Sequence, residues 1–261
     1  MLGSVPMIGK AVCLLSGGID STTVLAIALS KGYDCTAISF DYGQRHSREL
    51  EASARVADHF HVKRHVVRMN LNEVTSSALT GQKDVETRAL DHIEASIPNT
   101  YVPSRNIIFL SIAASMAESI GANNIFIGAN AVDFSGYPDC RPAFYNAFEE
   151  ALNRGTVAGS EHPFRINVPL QYLTKGEIIK TGKSMNVPYE LTTSCYLGRE
   201  KACGKCDSCL LRLKGFVEAG IPDPIPYETY PEFYKKFLEK NGKLSHFIPT
   251  LFQVGFSPSD A

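Results

Sequence analysis

The stretch Ser16-Gly17-Gly18-Ile19-Asp20-Ser21 decides how this chain can fold. It follows the short apolar run Lys10–Leu15 and leads into Asp20–Ser30, where apolar residues recur at helical spacing before Gly32. The pattern predicts a strand, a tight loop and a helix. Two glycines, two serines and the free N–H groups of a helix N-terminus can cradle an anion. The plainer alternative is a turn in which a serine or the aspartate only caps the helix.

The loop does not match the two commonest nucleotide-binding patterns. A Walker loop would end in Gly-Lys-Ser/Thr, and a dinucleotide-binding loop would carry a third, spaced glycine. Neither feature is present in residues 16–21. The sequence therefore predicts a nucleotide loop of another kind.

Strand and helix patterns alternate on the C-terminal side of this loop. Further strands are predicted at Cys35–Asp41, Val62–Val67 and Asn124–Gly128, and further helices at Ser47–Phe60, Asn106–Ile120, Thr174–Met185 and Glu232–Glu239. This alternation predicts an α/β fold with a doubly wound, mostly parallel, Rossmann-like sheet and a ligand site outside the carboxyl ends of the strands. The polar stretch Asn70–Pro103 is predicted to be a surface excursion.

Composition limits the class of protein. The 261 residues carry a formal net charge of −1, are 44% hydrophobic and are 20% charged, which excludes a disordered chain. The uncharged run Asn106–Ala117 is shorter than the roughly 20 residues of a membrane helix. No secretory signal is visible, so we expect a cytoplasmic protein. The balanced charge argues against direct binding of nucleic acid.

Four of the seven cysteines lie close together in the sequence, at Cys195, Cys203, Cys206 and Cys209. Four thiolates fill the coordination of a tetrahedral ion, and a closed, structural Zn²⁺ site is the usual outcome. An iron–sulfur cluster is the competing interpretation, since four cysteines hold one as well. A redox Cys-x-x-Cys pair needs only two cysteines and explains the group less well. Cys13, Cys35 and Cys140 are interpreted as small buried fillers.

Residues 16–21 match every fixed position of the Ser-Gly-Gly-x-Asp-Ser signature, so the chain resembles the PP-loop ATP pyrophosphatase family. The resemblance implies an enzyme that transfers AMP to an oxygen of its substrate and releases pyrophosphate. It also implies an ATP site, in which the β- and γ-phosphates are held by the loop amides with Ser16, Ser21 and Thr22, and in which Asp20 binds Mg²⁺. The residues assigned to ATP are Leu15, Ser16, Gly17, Gly18, Asp20, Ser21 and Thr22.

Three other segments and the cysteine group narrow the resemblance. The segments are Phe40–His46, Val102–Asn106 and Gly128–Arg141. Together they are similar to the 7-cyano-7-deazaguanine synthase family, over about Lys10 to Gly220. That family adenylates 7-carboxy-7-deazaguanine, lets ammonia displace AMP to give an amide, and uses ATP again to dehydrate the amide to a nitrile for queuosine and related deazapurines. The resemblance implies a carbon–nitrogen ligase that cleaves ATP to AMP or ADP-type products, with ATP, Mg²⁺ and Zn²⁺ as cofactors and a homodimer as the assembly.

The resemblance also suggests residues that contact substrate. Arg105 and Lys175 are predicted to be catalytic cations near the pyrophosphate or the substrate carboxylate, with surface charges as the alternative. The loop after the strand Asn124–Gly128 is predicted to form the purine pocket, with a carboxylate accepting two adjacent N–H groups of the base. Its candidates are Asp133, Phe134, Ser135, Tyr137, Asp139 and Arg141; local turns and caps are the alternative.

Three units are predicted along the chain: an ATP-binding and substrate domain at 1–190, a zinc-binding segment with a following helix at 191–220, and an aromatic, proline-rich extension at 221–261. The extension goes beyond the usual end of the similar family, and we expect it to pack over the core, with a subunit contact as the second interpretation. Two other functions stay open: a tRNA-modifying PP-loop enzyme, either a thiolase or a lysidine-type ligase, and a non-catalytic zinc-binding interaction module.

Overall fold

Five parallel strands form the centre of the protein in a computed structural model that describes residues 6–44, 47–75, 77–80, 99–130 and 137–241. The strands are β1 (Gly9–Leu14), β2 (Tyr33–Asp41), β3 (Lys63–Arg68), β4 (Asn124–Phe126) and β5 (Arg165–Asn167). They are arranged in the order β3-β2-β1-β4-β5, and all four pairings are parallel. This confirms the predicted α/β fold with a doubly wound sheet.

Helices cover both faces of the sheet. They are α1 (Ile19–Ser30), α2 (Arg48–His59), α3 (Arg105–Ile120), α4 (Pro142–Gly155), α5 (Val157–Glu161), α6 (Lys175–Ser184), α7 (Asp207–Ala219) and α8 (Glu232–Lys240). One face packs α1, α6 and α7 through fully buried residues such as Leu25, Ile178 and Phe216. The other face packs α3 through Leu110 and Ala113 against Ile125 of the sheet. Burial of these apolar side chains on two faces drives the parallel arrangement.

The order of the strands places a topological switch point between β1 and β4. The chain passes from β1 to β2 on one side and returns through α3 to β4 on the other, with Cys13 opposite Phe126 in the register. Loops that follow two neighbouring strands leave in opposite directions at such a point, and a crevice opens between them. The loop at residues 16–21 therefore lies at one wall of a ligand crevice.

Most of the elements predicted from the sequence are present with small changes in their bounds. The capping box at the start of α6 is confirmed: the Thr174 hydroxyl accepts the N–H of Glu177, and the Glu177 carboxylate accepts the N–H of Thr174. Strand β4 ends two residues earlier than predicted, at Phe126. The sequence interpretation missed α4, α5 and β5. Strand β5 is only three residues long and carries no alternating pattern.

The described part of the C-terminal extension packs against the core. Tyr234 and Leu238 of α8 are each 1% exposed and belong to the same apolar cluster as α7. Residues 242–261 lie outside the described residues. The polar stretch after β3 begins with a 3₁₀ turn at Leu71–Glu73, and residues 76 and 81–98 of it are also outside the description. Within the described ranges, the helices are too short or too polar to cross a membrane.

Candidate active site

The loop after β1 has a backbone that only glycine permits at one position. Gly17 has φ +83°, and a Cβ there would lie 2.5 Å from the backbone nitrogen of Ser53 on α2. Inside the loop, the Ser16 and Ser21 hydroxyls are 3.0 Å apart, and the Ser16 N–H donates to Ser21 Oγ over 3.2 Å. These contacts hold two hydroxyls at the N-terminal end of α1, where the helix dipole favours an anion.

Thr22 and Leu15, which were also assigned to ATP, have other surroundings than the two serines. The Thr22 side chain is fully buried, and its hydroxyl donates to the Gly18 carbonyl over 2.7 Å. Thr22 therefore stabilises the first turn of α1 from within. Leu15 lines the neighbouring aromatic cavity, and its carbonyl accepts the Ser39 hydroxyl over 2.6 Å.

Asp20 and Lys175, both predicted to act at the phosphates, contact each other. Lys175 Nζ lies 2.8 and 2.7 Å from the two carboxylate oxygens of Asp20, although 155 residues separate them. Lys175 is the first residue of α6, so the capping box at Thr174 fixes its position. Both side chains are mostly buried, with 11% and 18% of their surface exposed. The pair places one positive and one negative group beside the loop.

Two cavities adjoin at this loop. One has a volume of about 190 Å³ and is lined by polar groups that include Asp20, Lys175 and the backbone of Gly18. The other has a volume of about 260 Å³ and lies over the sheet beside α3. Both are lined by Ser16, Ser21, Glu49, Gly128 and Tyr196. The backbone at Gly128 lies close to the start of α1, because a Cβ on Gly128 would lie 2.8 Å from the backbone nitrogen of Ser21.

The larger cavity has aromatic walls. Phe40 and Phe109 stack with ring centroids 4.0 Å apart, and Tyr42 and Tyr137 complete the wall. Arg105 reaches the same cavity from the start of α3. Flat, polarizable rings and one guanidinium suit a planar, anionic ligand.

The charges around Arg105 keep it protonated. Burial lowers the pKa of Arg105, but electrostatic interactions with neighbouring groups, of which that with Tyr42 is the largest, raise it by more. The pKa of Arg105 therefore lies above its ordinary value. Burial, followed by the carboxylate of Glu49, raises the pKa of Tyr42 to about 12, against a weaker effect of Arg105. Burial also raises the pKa of Cys140 to about 11. At neutral pH the cavity therefore contains a cation, a neutral phenol and a neutral thiol.

The predicted purine loop is described only in its second half. Asp133, Phe134 and Ser135 lie outside the described residues. Tyr137 lines the aromatic cavity, whereas Arg141 is exposed at the start of α4. Asp139 is 6% exposed, and its Oδ2 accepts the N–H of Asn106 over 3.2 Å at the start of α3. In the described chain Cys140, rather than Asp139, is among the residues that line this cavity.

The four clustered cysteines converge as predicted. The sulfur atoms of Cys195, Cys203, Cys206 and Cys209 lie within 4.8 Å of one another, and all four residues are buried. Cys203 Sγ and Cys209 Sγ are 3.8 Å apart. Four Zn–S bonds of about 2.3 Å in a tetrahedron place the sulfurs about 3.8 Å apart. The spacing fits one tetrahedral ion better than a [4Fe–4S] cluster, in which each cysteine sulfur binds a different iron.

A buried ion pair ties the cysteine segment to the C-terminal extension. Arg212 on α7 donates from Nε and a terminal nitrogen to the two carboxylate oxygens of Asp223, over 2.7 and 2.8 Å. Asp223 also accepts the Tyr227 hydroxyl over 2.7 Å. The Arg212 and Asp223 side chains are 1% and 0% exposed. A pair with this geometry and these further hydrogen bonds compensates the loss of water around both charges.

Several residues that reach the cavities were not predicted from the sequence. Tyr42 lies within the Phe40–His46 segment that resembles a known family, and Glu49 lies three residues after it, but their side chains were given no role. Tyr196 directly follows the metal-ligand candidate Cys195 in the sequence, and Arg212 lies three residues after Cys209 on one helix face. That adjacency was the only sequence signal for either residue.

Comparisons with known proteins show the family of this chain. The family described as queuosine biosynthesis protein QueC matches residues 10–220. The chain is 60% identical to the 7-cyano-7-deazaguanine synthase of Picrophilus torridus over 230 residues, which covers 88% of this chain and 96% of that protein. It is 61% identical to the synthase of Thermoplasma acidophilum, covering 90% and 98%. The solved structure of NMN synthetase from Francisella tularensis is similar with a TM-score of 0.45 and 13% identity, covering 98% of this chain and 91% of that chain.

Proposed function

Since the chain belongs to the family of the queuosine biosynthesis protein QueC, we propose that it is an ATP-dependent 7-cyano-7-deazaguanine synthase. It is a carbon–nitrogen ligase that converts 7-carboxy-7-deazaguanine and ammonia to the nitrile. The observation that carries the proposal is the pair of adjoining cavities, one polar at the Ser16–Ser21 loop and one aromatic beside α3. An enzyme that joins ATP to a planar acid needs such neighbouring sites.

The reaction follows from the poor electrophilicity of a carboxylate. An oxygen of the acid forms a bond to the α-phosphorus of ATP, the bond from that phosphorus to the bridging oxygen breaks, and pyrophosphate leaves. Ammonia then attacks the carbonyl carbon, a proton is lost and AMP leaves, which gives the amide. The amide oxygen then bonds to the α-phosphorus of a second ATP as pyrophosphate leaves. AMP departs with that oxygen while the amide nitrogen loses two protons, which gives the nitrile. Alignment and charge stabilisation supply the catalysis, so no side-chain nucleophile is needed.

The residues of the polar cavity suit the triphosphate. The loop amides and the hydroxyls of Ser16 and Ser21 would bind phosphate oxygens at the N-terminus of α1. Asp20 would hold Mg²⁺ together with phosphate oxygens, a donor set that this ion prefers, and bound Mg²⁺ would neutralise charge on the leaving pyrophosphate. The ammonium group of Lys175, which is paired with Asp20 in this structure, would contact the same phosphates as a single positive charge.

The aromatic cavity suits the deazapurine acid. Phe40, Phe109 and Tyr137 offer faces for a fused-ring base. Arg105 would bind the carboxylate of the substrate, because a guanidinium forms two parallel hydrogen bonds to a carboxylate. The base-reading role of the loop that includes Asp133 and Asp139 stays a prediction.

We assign Zn²⁺ to the four cysteines as a structural ion. The spacing of their sulfurs supports a single tetrahedral ion. Four protein ligands leave no position for water or substrate, so the ion would stabilise the fold without taking part in the chemistry. The homodimer, the use of free ammonia and the cytoplasmic location likewise stay predictions from the sequence.

The test is product formation by the purified chain. The protein is incubated with ATP, Mg²⁺, an ammonium salt and 7-carboxy-7-deazaguanine, and the nitrile, AMP and pyrophosphate are measured. Nitrile that appears only when all reactants are present supports the proposal. Release of pyrophosphate with tRNA but not with the acid would favour a tRNA-modifying enzyme instead.

A further inference from the structure

The segment Thr192–Tyr196 joins the cysteine cluster to both cavities. Its Thr193 N–H donates to the carbonyl oxygen of Gly17 in the phosphate loop over 2.9 Å. Thr193 and Ser194 line the polar cavity, and Tyr196 lines the polar and the aromatic cavity. The segment therefore forms a wall at the place where the two substrates would meet.

Two buried anchors fix this segment. Its Cys195 is one of the four clustered metal-ligand candidates. At the other end, Arg212 donates to the Thr192 hydroxyl over 2.8 Å and to the Ser194 hydroxyl over 3.4 Å. Arg212 is itself held by both carboxylate oxygens of Asp223. Tyr196 directly follows Cys195 in this anchored segment. It is therefore preorganised, because movement of its backbone would disturb the cysteine cluster or the contacts of Arg212.

Tyr196 differs from the other residues that line both cavities. Ser16, Ser21 and Gly128 are small and belong to the predicted nucleotide loop or its neighbouring strand end, and Glu49 has no ring. Tyr196 brings a ring large enough to contact two ligands at once and a phenol hydroxyl that can donate a hydrogen bond. It is thus the shared side chain that combines bulk with a hydrogen-bond donor.

We propose that Tyr196 is a catalytic residue that contacts the substrate carboxylate and the α-phosphate of ATP where they react. The proposal rests on the synthase function proposed above. In adenylation, the new bond between carboxylate oxygen and phosphorus forms as the bond to the pyrophosphate oxygen breaks, and negative charge shifts over the phosphate oxygens. A fixed donor beside these atoms stabilises that change more than it stabilises the bound substrates. The metal cluster and the Arg212–Asp223 pair would then support catalysis by holding Tyr196 in place.

The experiment measures adenylation by itself, as exchange of labelled pyrophosphate into ATP that depends on 7-carboxy-7-deazaguanine. Tyr196→Phe removes the hydroxyl and keeps the ring, whereas Tyr196→Ala removes both. The matched control is Tyr172→Phe, since Tyr172 is 74% exposed. Zinc content, thermal unfolding and nitrile formation by the wild type are measured in parallel.

Tyr196→Phe is expected to lower kcat of the exchange by about 100-fold, with KM for ATP and for the acid within about threefold of wild type and unchanged zinc content. Tyr196→Ala is expected to raise both KM values as well; if it loses zinc, Tyr196→Phe alone decides. An active wild type with kcat within twofold in Tyr196→Phe overturns the inference alone. A wild type that forms no nitrile overturns the proposed function and the inference with it.

Discussion

The loop at residues 16–21 and a buried cluster near the C-terminus differ in how their polar groups are satisfied. This cysteine–arginine cluster consists of Cys195, Cys203, Cys206, Cys209, Arg212 and Asp223. Its residues are buried, and its described polar groups bond to one another or to nearby protein groups. The loop at residues 16–21 instead lines two cavities with hydroxyls and backbone groups. A group satisfied within the protein contributes to stability, whereas a group that faces a cavity is available to a ligand.

The contrast has a consequence for variants. Substitutions in the cysteine–arginine cluster should mainly lower stability, whereas substitutions in the loop should mainly lower turnover. The two regions nevertheless meet, because the Thr193 N–H donates to Gly17 O. Four single substitutions can separate an effect on stability from an effect on turnover.

The largest effect on stability is expected from Cys206→Ser. An incomplete ligand set loses the metal, and metal binding that is coupled to folding contributes on the order of 10 kcal/mol in small zinc domains. Elemental analysis should show loss of zinc, and thermal unfolding should occur at a clearly lower temperature. Cys35→Ser, which changes a buried cysteine outside the cluster, should keep full zinc. Iron and acid-labile sulfide in the wild type would contradict the zinc assignment.

Asp223→Asn should give the next largest loss of stability. It removes one charge from a fully buried pair and leaves the Arg212 guanidinium without its anion, which costs about 3–5 kcal/mol in comparable cases. Chemical denaturation measures the change. Asp34→Asn is the control, since Asp34 is exposed at the start of β2. Equal stability of the two variants would show that the stability of the cysteine–arginine cluster does not depend on this ion pair.

Asp20→Asn should separate turnover from folding. The carboxylate faces the polar cavity and contacts Lys175, so its loss should reduce adenylation by about 10²–10³-fold, the usual cost of one group that stabilises a transition-state charge. The temperature of thermal unfolding should fall less than in Asp223→Asn, because the Asp20–Lys175 pair lines a cavity and remains partly exposed to solvent. Pyrophosphate release is the measurement, again with Asp34→Asn as the control. Near wild-type turnover would remove Asp20 from the mechanism.

Thr174→Ala is expected to have the smallest effect. The hydroxyl caps α6, and loss of such a cap costs about 1 kcal/mol. Because Lys175 is the next residue, KM for ATP should rise modestly while the fold persists. Denaturation and steady-state kinetics measure both changes, and Lys180→Ala on the exposed face of the same helix is the control. An unchanged KM would mean that the cap does not position Lys175.

The sequence predicted the elements with the strongest local signals. The apolar run before Ser16 forms β1, and the capping box at Thr174 begins α6. The four clustered cysteines lie together because few residues separate them in the sequence. Strand β5 escaped prediction, since three residues carry too little periodicity and its place depends on pairing with β4. For Asp139 the sequence predicted contact with a base, and that stays a prediction. Only the tertiary structure shows that its carboxylate accepts the N–H of Asn106.

What the sequence by itself determined is therefore local: the tight loop at residues 16–21, the closely spaced cysteines, and the alternation that leads to a parallel sheet. Only the tertiary structure decided that Lys175 meets Asp20, that Arg212 binds both Asp223 and Thr192, and that Tyr196 lines two cavities. The physical reason is that local patterns fix backbone conformation and short-range contacts. Contacts between distant residues depend on which helices and strands pack together, and that is settled by burial of the whole apolar surface.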